Sequence, residues 1–218
     1  MNKVSYFRTV LFFLPAIILT FVFPLRSKAQ FTEITGLAGY TLAETFNTTD
    51  AYQVYVGDGF TWGGSLAFYP DEHFDIALTY MRQSTHVDVW DYIYNSPTAN
   101  NIGASVNYIM IGGDRNQPVG DGKAVFFGGL DLGTAGLVSE GNNYGSRWKF
   151  AIDLHIGAKI FPTPNVGIRM QAGLNMPIQY FGAAFTVGTG GSGAGVSAGS
   201  SITQVCFLGG LCFRIHPQ

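Results

Sequence analysis

The strongest alternation in the chain lies between Trp148 and Ile160. Trp148, Phe150, Ile152, Leu154, Ile156, Ala158 and Ile160 are apolar, and Lys149, Ala151, Asp153, His155, Gly157 and Lys159 stand between them. A period of two is the mark of a β-strand with one greasy face and one small or charged face. The run is longer than the roughly five or six residues of an ordinary strand. It also exceeds the roughly 9–11 residues needed to cross a bilayer at a tilt.

Comparable patterns predict eight strands, at about 32–44, 58–69, 73–89, 100–112, 123–138, 146–161, 165–178 and 200–215. On the third, Phe74, Ile76, Leu78 and Tyr80 form the apolar face; on the seventh, Val166, Ile168, Met170, Ala172 and Leu174 do so. On the fourth, Ile102, Ala104, Val106, Tyr108 and Met110 read as the apolar side, which turns Ile109 inward. The eighth has the opposite parity, with Val205, Phe207, Leu211 and Phe213 outward. No segment after residue 30 sustains a helical period. The breaks alternate between compact turns (70–72, 113–122, 162–165) and longer connections (45–57, 91–99, 139–145, 180–199). An even-stranded barrel with short turns at one rim and long loops at the other produces this order.

The first 29 residues stand apart. Lys3 and Arg8 precede an apolar stretch, Val10 to Leu25, which ends in Ser27-Lys28-Ala29 before Gln30. This is the order of a cleaved signal peptide. The stretch is broken by Pro15 and Pro24 and is short for a spanning helix, which needs about 20 residues. Residues 30–218 then form one barrel domain. Losing Lys3, Arg8, Arg26 and Lys28 leaves eight basic against 14 acidic residues, with no basic stripe for nucleic acid. Charged residues make up 12% of the chain, too few for an ordinary water-facing surface at about 25%.

A soluble barrel would also alternate, with its greasy face inward. Here the other face is mostly Gly, Ala, Ser, Thr and Asn, which suits the narrow lumen of eight strands. Aromatics gather near strand ends: Phe68, Tyr69, Phe74, Phe126, Phe161 and Phe213 on the turn side, and Tyr40, Phe60, Trp62, Tyr80, Trp148 and Phe150 on the loop side. They read as the two interfacial girdles of a membrane barrel. The predicted fold is all-β, an eight-stranded antiparallel up-and-down transmembrane β-barrel. With Trp62-Gly63-Gly64-Ser65-Leu66 and Leu78-Thr79-Tyr80-Met81-Arg82, the pattern over 30–218 resembles the small outer-membrane barrels of Gram-negative bacteria. These are OmpA/OmpX-like in architecture and common in the Bacteroidota. The resemblance implies an outer-membrane location, with lipid and the outer-membrane assembly machinery as partners. Members commonly end on an aromatic residue, whereas here Phe213 is followed by Arg214-Ile215-His216-Pro217-Gln218.

With the small, polar face inward, Glu33, Asp75, Asp131 and Asp153 meet Lys149, Lys159, Arg169 and Arg214 in the lumen, with His155 among them. Charges in a narrow, poorly hydrated lumen must pair. Glu33, Asp75, Lys159, Arg169 and Arg214 fall near the turn rim, and Asp131, Asp153 and His155 at mid-barrel. Glu33 and Arg214 are expected to bridge the closing seam. A salt-bridged plug is the favoured reading, and an ion pathway the alternative. Inward Leu37, Met81, Ile109, Phe127 and Leu208 would suit a carrier of apolar molecules.

Catalysis has little support. Asp153, His155 and Ser105 hold the residue types of a hydrolase triad, but strands four and six are not neighbours and no nucleophile elbow is present. Gly188-Thr189-Gly190-Gly191-Ser192-Gly193 matches a dinucleotide string without the helix it needs, and reads as a flexible loop. Cys206 and Cys212 lie too far apart along one strand for a disulfide. The four His residues show no metal-ligand spacing, so no cofactor or metal is predicted. Phe46, Tyr52, Tyr55, Trp90, Tyr92 and Tyr94 fall in two of the long loops, where Tyr and Trp suit binding of an extracellular ligand or protein.

Overall fold

The computed structural model describes residues 31–47, 52–91, 96–120, 122–139, 147–178, 180–188, 191–199 and 203–216. The predicted signal peptide lies outside them. Eight strands form a closed wall: β1 (Phe31–Thr41), β4 (Gly59–Asp71), β5 (Phe74–Asp91), β6 (Ser96–Val119), β7 (Ala124–Ser139), β8 (Arg147–Ile160), β9 (Val166–Pro177) and β12 (Gln204–Ile215). Each wall strand pairs antiparallel with the next along the chain, and β1 against β12 completes the ring. Closure leaves no unpaired strand edge in the wall, which is what a sheet needs in order to sit in hydrocarbon.

Four further strands stand on the loop side, where the sequence predicts only loops. β2 (Glu44–Asn47) and β3 (Tyr52–Val56) form a hairpin, and β3 also pairs with the far end of β5. β10 (Tyr180–Gly188) and β11 (Gly191–Gly199) form a separate two-stranded sheet, so the Gly-rich run is paired strand rather than free loop. β5 and β6 remain paired as far as Asp91 and Ser96, so the predicted 91–99 loop is largely ladder.

The predicted turn at 113–122 is also mostly strand. β6 runs through it to Val119, and the chain reverses at Gly120 and Gly122, which both have positive φ (62° and 73°). Three glycines and a proline in ten residues suggest a turn by composition. Gly113, however, lies where a Cβ would meet the Asp75 backbone oxygen, so it serves close strand approach. This extension carries Asp114 and Asn116 into the lumen.

Polarity is inverted relative to a soluble protein. Leu78, Ile111 and Ile156 are exposed on the outside, while Glu33, Asp75 and Lys159 are fully buried within. The outer face therefore needs an apolar solvent, and the wall is built to span a membrane. The face predicted for the fourth strand is reversed in β6. Tyr108 and Met110 point inward, and Ile109 and Ile111 outward. Apolar residues occupy both faces from 108 to 111, so alternation alone cannot choose between them. Two predicted girdle residues also belong inside: Tyr69 and Phe161 are buried, whereas Phe68, Phe74, Phe126 and Phe213 are exposed. All six of the predicted loop-side aromatics, Tyr40 to Phe150, are exposed.

The lumen is layered. Its loop-side half packs Leu37, Met81, Val106, Tyr108, Met110 and Leu208 into an apolar cluster. Its turn-side half holds the charges. Replacing outward Ile111 with Arg should cost about 2–4 kcal/mol near the bilayer midplane. Unfolding of the barrel in lipid vesicles would measure this, and a neutral effect would place that face away from lipid.

Candidate functional site

Two clusters of charge fill the turn-side half, separated by one ring. The lower centres on Lys159 of β8. Its Nζ lies 2.9 Å from Glu33 Oε1 and 3.9 Å from Asp75 Oδ2, and donates a hydrogen bond to the Tyr69 hydroxyl at 2.5 Å. Glu33 also meets Arg214 Nε at 3.3 Å across the β1–β12 seam. Asn116 Nδ2 donates to Asp75 Oδ2 at 2.8 Å. Arg214 lies over the faces of Phe161 and Phe31, and Phe31 stacks on Tyr69. The inward Tyr69 and Phe161 therefore serve the cations instead of lipid.

The upper cluster is threaded through His155. Its Nδ1 faces Asp153 Oδ1 at 2.5 Å, and its Nε2 faces Asp114 Oδ1 at 2.6 Å. Arg169 Nη2 holds the other Asp114 oxygen at 3.2 Å, while Arg169 Nε donates to Gln171 Oε1 at 2.6 Å. Strand pairing explains the reach from β6 to β8. Asp114 and His155 both stand opposite Gly129 of β7, and a Cβ on Gly129 would strike both side chains. The missing side chain is the space in which Asp114 and His155 meet.

Lys159 and Arg169 stand directly opposite each other on β8 and β9, two cations on one face. Phe127 separates them, with Lys159 Nζ 5.0 Å from the ring centroid and Arg169 Cζ 4.2 Å from it. Lys159 turns down to Glu33 and Asp75, and Arg169 turns up to Asp114. Phe127 sits opposite Gly157, where its ring fills the space of a missing side chain. Phe127, predicted inward as lining for apolar cargo, is thus a cation-binding partition.

Of the nine charges predicted for the lumen, Glu33, Asp75, Asp131, Asp153, His155, Lys159 and Arg169 are buried, and Arg214 partly so. Lys149 is not among them: it is exposed at the loop-side end of β8, with room for a long side chain to reach water. Asp114 takes a place in the network, although turn-type composition at 113–122 hides it in the sequence. Its signal was available in the continuing alternation Gly112, Asp114, Asn116. Ser105 is buried and accepts a hydrogen bond from Asn107 Nδ2 at 3.4 Å, but it pairs with Val138 of β7, seven and nine residues along that strand from Asp131 and Gly129, the partners of Asp153 and His155. The imagined triad does not assemble. The two cysteines are free and buried.

The loop-side aromatics are partly in view. Trp90 is exposed, and the Tyr55 ring lies 5.9 Å from that of His86. Phe46 lies in β2 and Tyr52 in β3, while Tyr92 and Tyr94 lie outside the described residues.

A closed eight-stranded wall, apolar outside and charged within, is the fold of a small outer-membrane β-barrel. Solved structures agree. Neisserial surface protein A covers 84% of this chain and 97% of its own, at 12% identity and a TM-score of 0.58. The outer membrane protein OprG of Pseudomonas aeruginosa gives 87%, 98%, 12% and 0.59. The N-terminal barrel domain of Pseudomonas aeruginosa OprF gives 85%, 98%, 10% and 0.50. No protein-family model and no curated protein matches the chain. At such identities the likeness is one of fold, and the clusters above must be read from this chain alone.

Gly129→Ala should force Asp114 and His155 apart and destabilise the barrel by about 1–3 kcal/mol, the cost of overpacking a filled interior. Gly36→Ala, where a Cβ meets nothing within 4 Å, should be close to neutral. Comparing the two unfolding midpoints checks the reading.

Proposed function

We propose that this outer-membrane barrel is closed and non-enzymatic, and that any recognition occurs on its loop side. The observation that carries the proposal is the filling of the lumen. Lys159, Glu33 and Asp75 plug the turn end, Phe127 and the His155 cluster fill the middle, and apolar side chains pack the remainder. The cavity among them gives a water centre only about 10 Å³, room for about one molecule. An eight-stranded barrel has little interior beyond what its side chains occupy.

The loop side offers more. β5 and β6 carry the wall past the membrane as a long hairpin, and the β2–β3 hairpin pairs against it. Trp90 and Tyr55 stand on this extension, with Phe46, Tyr52, Tyr92 and Tyr94 close to it in sequence. Rigid strands presenting Tyr and Trp give contact area at low entropic cost, which suits an extracellular protein or glycan-like ligand. Export through a signal peptide cleaved after Ala29, and insertion by the outer-membrane assembly machinery, complete the proposal. The carrier reading finds less support, because Leu37, Met81 and Leu208 pack on one another and Ile109 faces lipid.

Planar-bilayer recording of the purified barrel tests the proposal. A folded, heat-modifiable protein should be electrically silent. Steady unitary steps altered by Arg169→Ala would make the lumen a pathway.

A further inference from the structure

Five carboxylates are buried in the lumen among the described residues: Glu33, Asp75, Asp114, Asp131 and Asp153. Three permanent cations answer them, Lys159, Arg169 and Arg214. With His155 neutral, as a metal ligand must be, the excess is two negative charges, and like charges meet in the wall. Asp131 of β7 stands directly opposite Asp153 of β8, two carboxylates side by side on one inward face. Like charges so placed repel, and the low-dielectric surroundings make the repulsion worse. The corresponding pair of cations, Lys159 and Arg169, shares the Phe127 ring, and each cation has a carboxylate partner of its own.

Asp131 is 4% exposed and lines the water-sized cavity, yet among the described residues no hydrogen bond or ion pair reaches its carboxylate. One carboxylate oxygen each from Asp131 and Asp153 and one ring nitrogen of His155 lie within 4.8 Å of one another. Asn175, opposite Asp153 on β9, is buried with its Oδ1 unpartnered. His155 is also held as metal-binding imidazoles are. Its Nε2 is on Asp114 Oδ1, and Asp114 is in turn fixed by Arg169, leaving Nδ1 on the side of Asp153. A carboxylate on the far nitrogen sets the tautomer and aims the near nitrogen at an ion.

We propose that Asp131, Asp153 and His155 bind one divalent cation of the zinc class within the barrel, with Asp114 and Arg169 as positioning residues. The set of one imidazole nitrogen and two carboxylates suits zinc or a neighbouring transition metal better than magnesium or calcium, which favour all-oxygen shells. With His155 neutral as a ligand, a charge of two on the ion neutralises the lumen. The ion cross-links β7 to β8 and, through Asp114 and Arg169, to β6 and β9. Its role is structural, consistent with a closed lumen but independent of it, since metal content and conductance are separate measurements.

The test takes the mature barrel purified from membranes, unfolded in urea with chelator and refolded in detergent. It is then exposed to Zn²⁺, or to Mg²⁺ as a comparison, and passed through a desalting column. About one zinc per chain should remain on the wild type, with magnesium lost and the thermal midpoint raised by zinc alone. Asp131→Asn should bind zinc at least about 100-fold more weakly. Asp114→Asn, which keeps all three ligands, should weaken binding about 10–100-fold. Without metal, Asp131→Asn should be at least as stable as wild type, because the repulsion with Asp153 is gone. Failure of the wild type to retain zinc would overturn the proposal, as would equal retention by Asp131→Asn, which would place the ion on the surface. Should Asp131→Asn not refold, unchanged affinity in Asp114→Asn would overturn it equally.

Discussion

The structure depends on the fate of charge in a space too narrow for water. Eight strands enclose a lumen that side chains nearly fill, and an isolated ion there has neither solvent nor room. Every inward charge must therefore be answered at a definite height, by another protein group or, at Asp131, by the proposed ion. This constraint explains why Lys159, with no exposed surface, touches Glu33, Asp75, Tyr69 and Phe127 together. It also explains why Arg169 is gripped by Asp114, Gln171 and the ring of Phe127. All of these contacts except Arg169–Gln171 join different strands, so satisfying the charges also fixes the register of the wall.

Room for the network comes from positions without side chains. Gly129 lets Asp114 and His155 meet over β7, and Gly157 accepts the Phe127 ring that divides the two clusters. Ala67 and Ala77 stand opposite and beyond Glu33 along the same register line, leaving the carboxylate space to turn toward Lys159. The abundance of small inward residues is therefore a packing requirement of the large charged ones. The outer face faces no such demand, and its Leu, Ile and Phe residues need only match lipid.

Much of this was legible in the sequence. The eight wall strands, inward placement of Glu33, Asp75, Asp153 and Lys159, and most of the rim aromatics follow from a period of two, which survives wherever one face is apolar. The period failed where both faces are apolar, at 108–111, and the face of β6 was inverted there. It failed again where turn-type composition overrode alternation, at 113–119, and Asp114 was lost with it. Lys149 was misplaced because parity gives a direction and not a height: a strand end at the rim is open to water. Tyr69 and Phe161 read as lipid-facing in the sequence because aromatic character alone cannot tell a girdle from a cation's partner. The opposition of Asp131 to Asp153 depends on register, which no single strand reveals.

The central claim is that paired charge inside the lumen, rather than the outer apolar band alone, holds the barrel closed. A double-mutant cycle on Glu33→Gln and Lys159→Met, read from unfolding free energies in lipid vesicles, tests it most directly. The account predicts that each single change is strongly destabilising, because it strands a buried charge, and that the two together cost far less than their sum. The coupling should be about 2–3 kcal/mol or more. Additive effects, with coupling below about 0.5 kcal/mol, would contradict it.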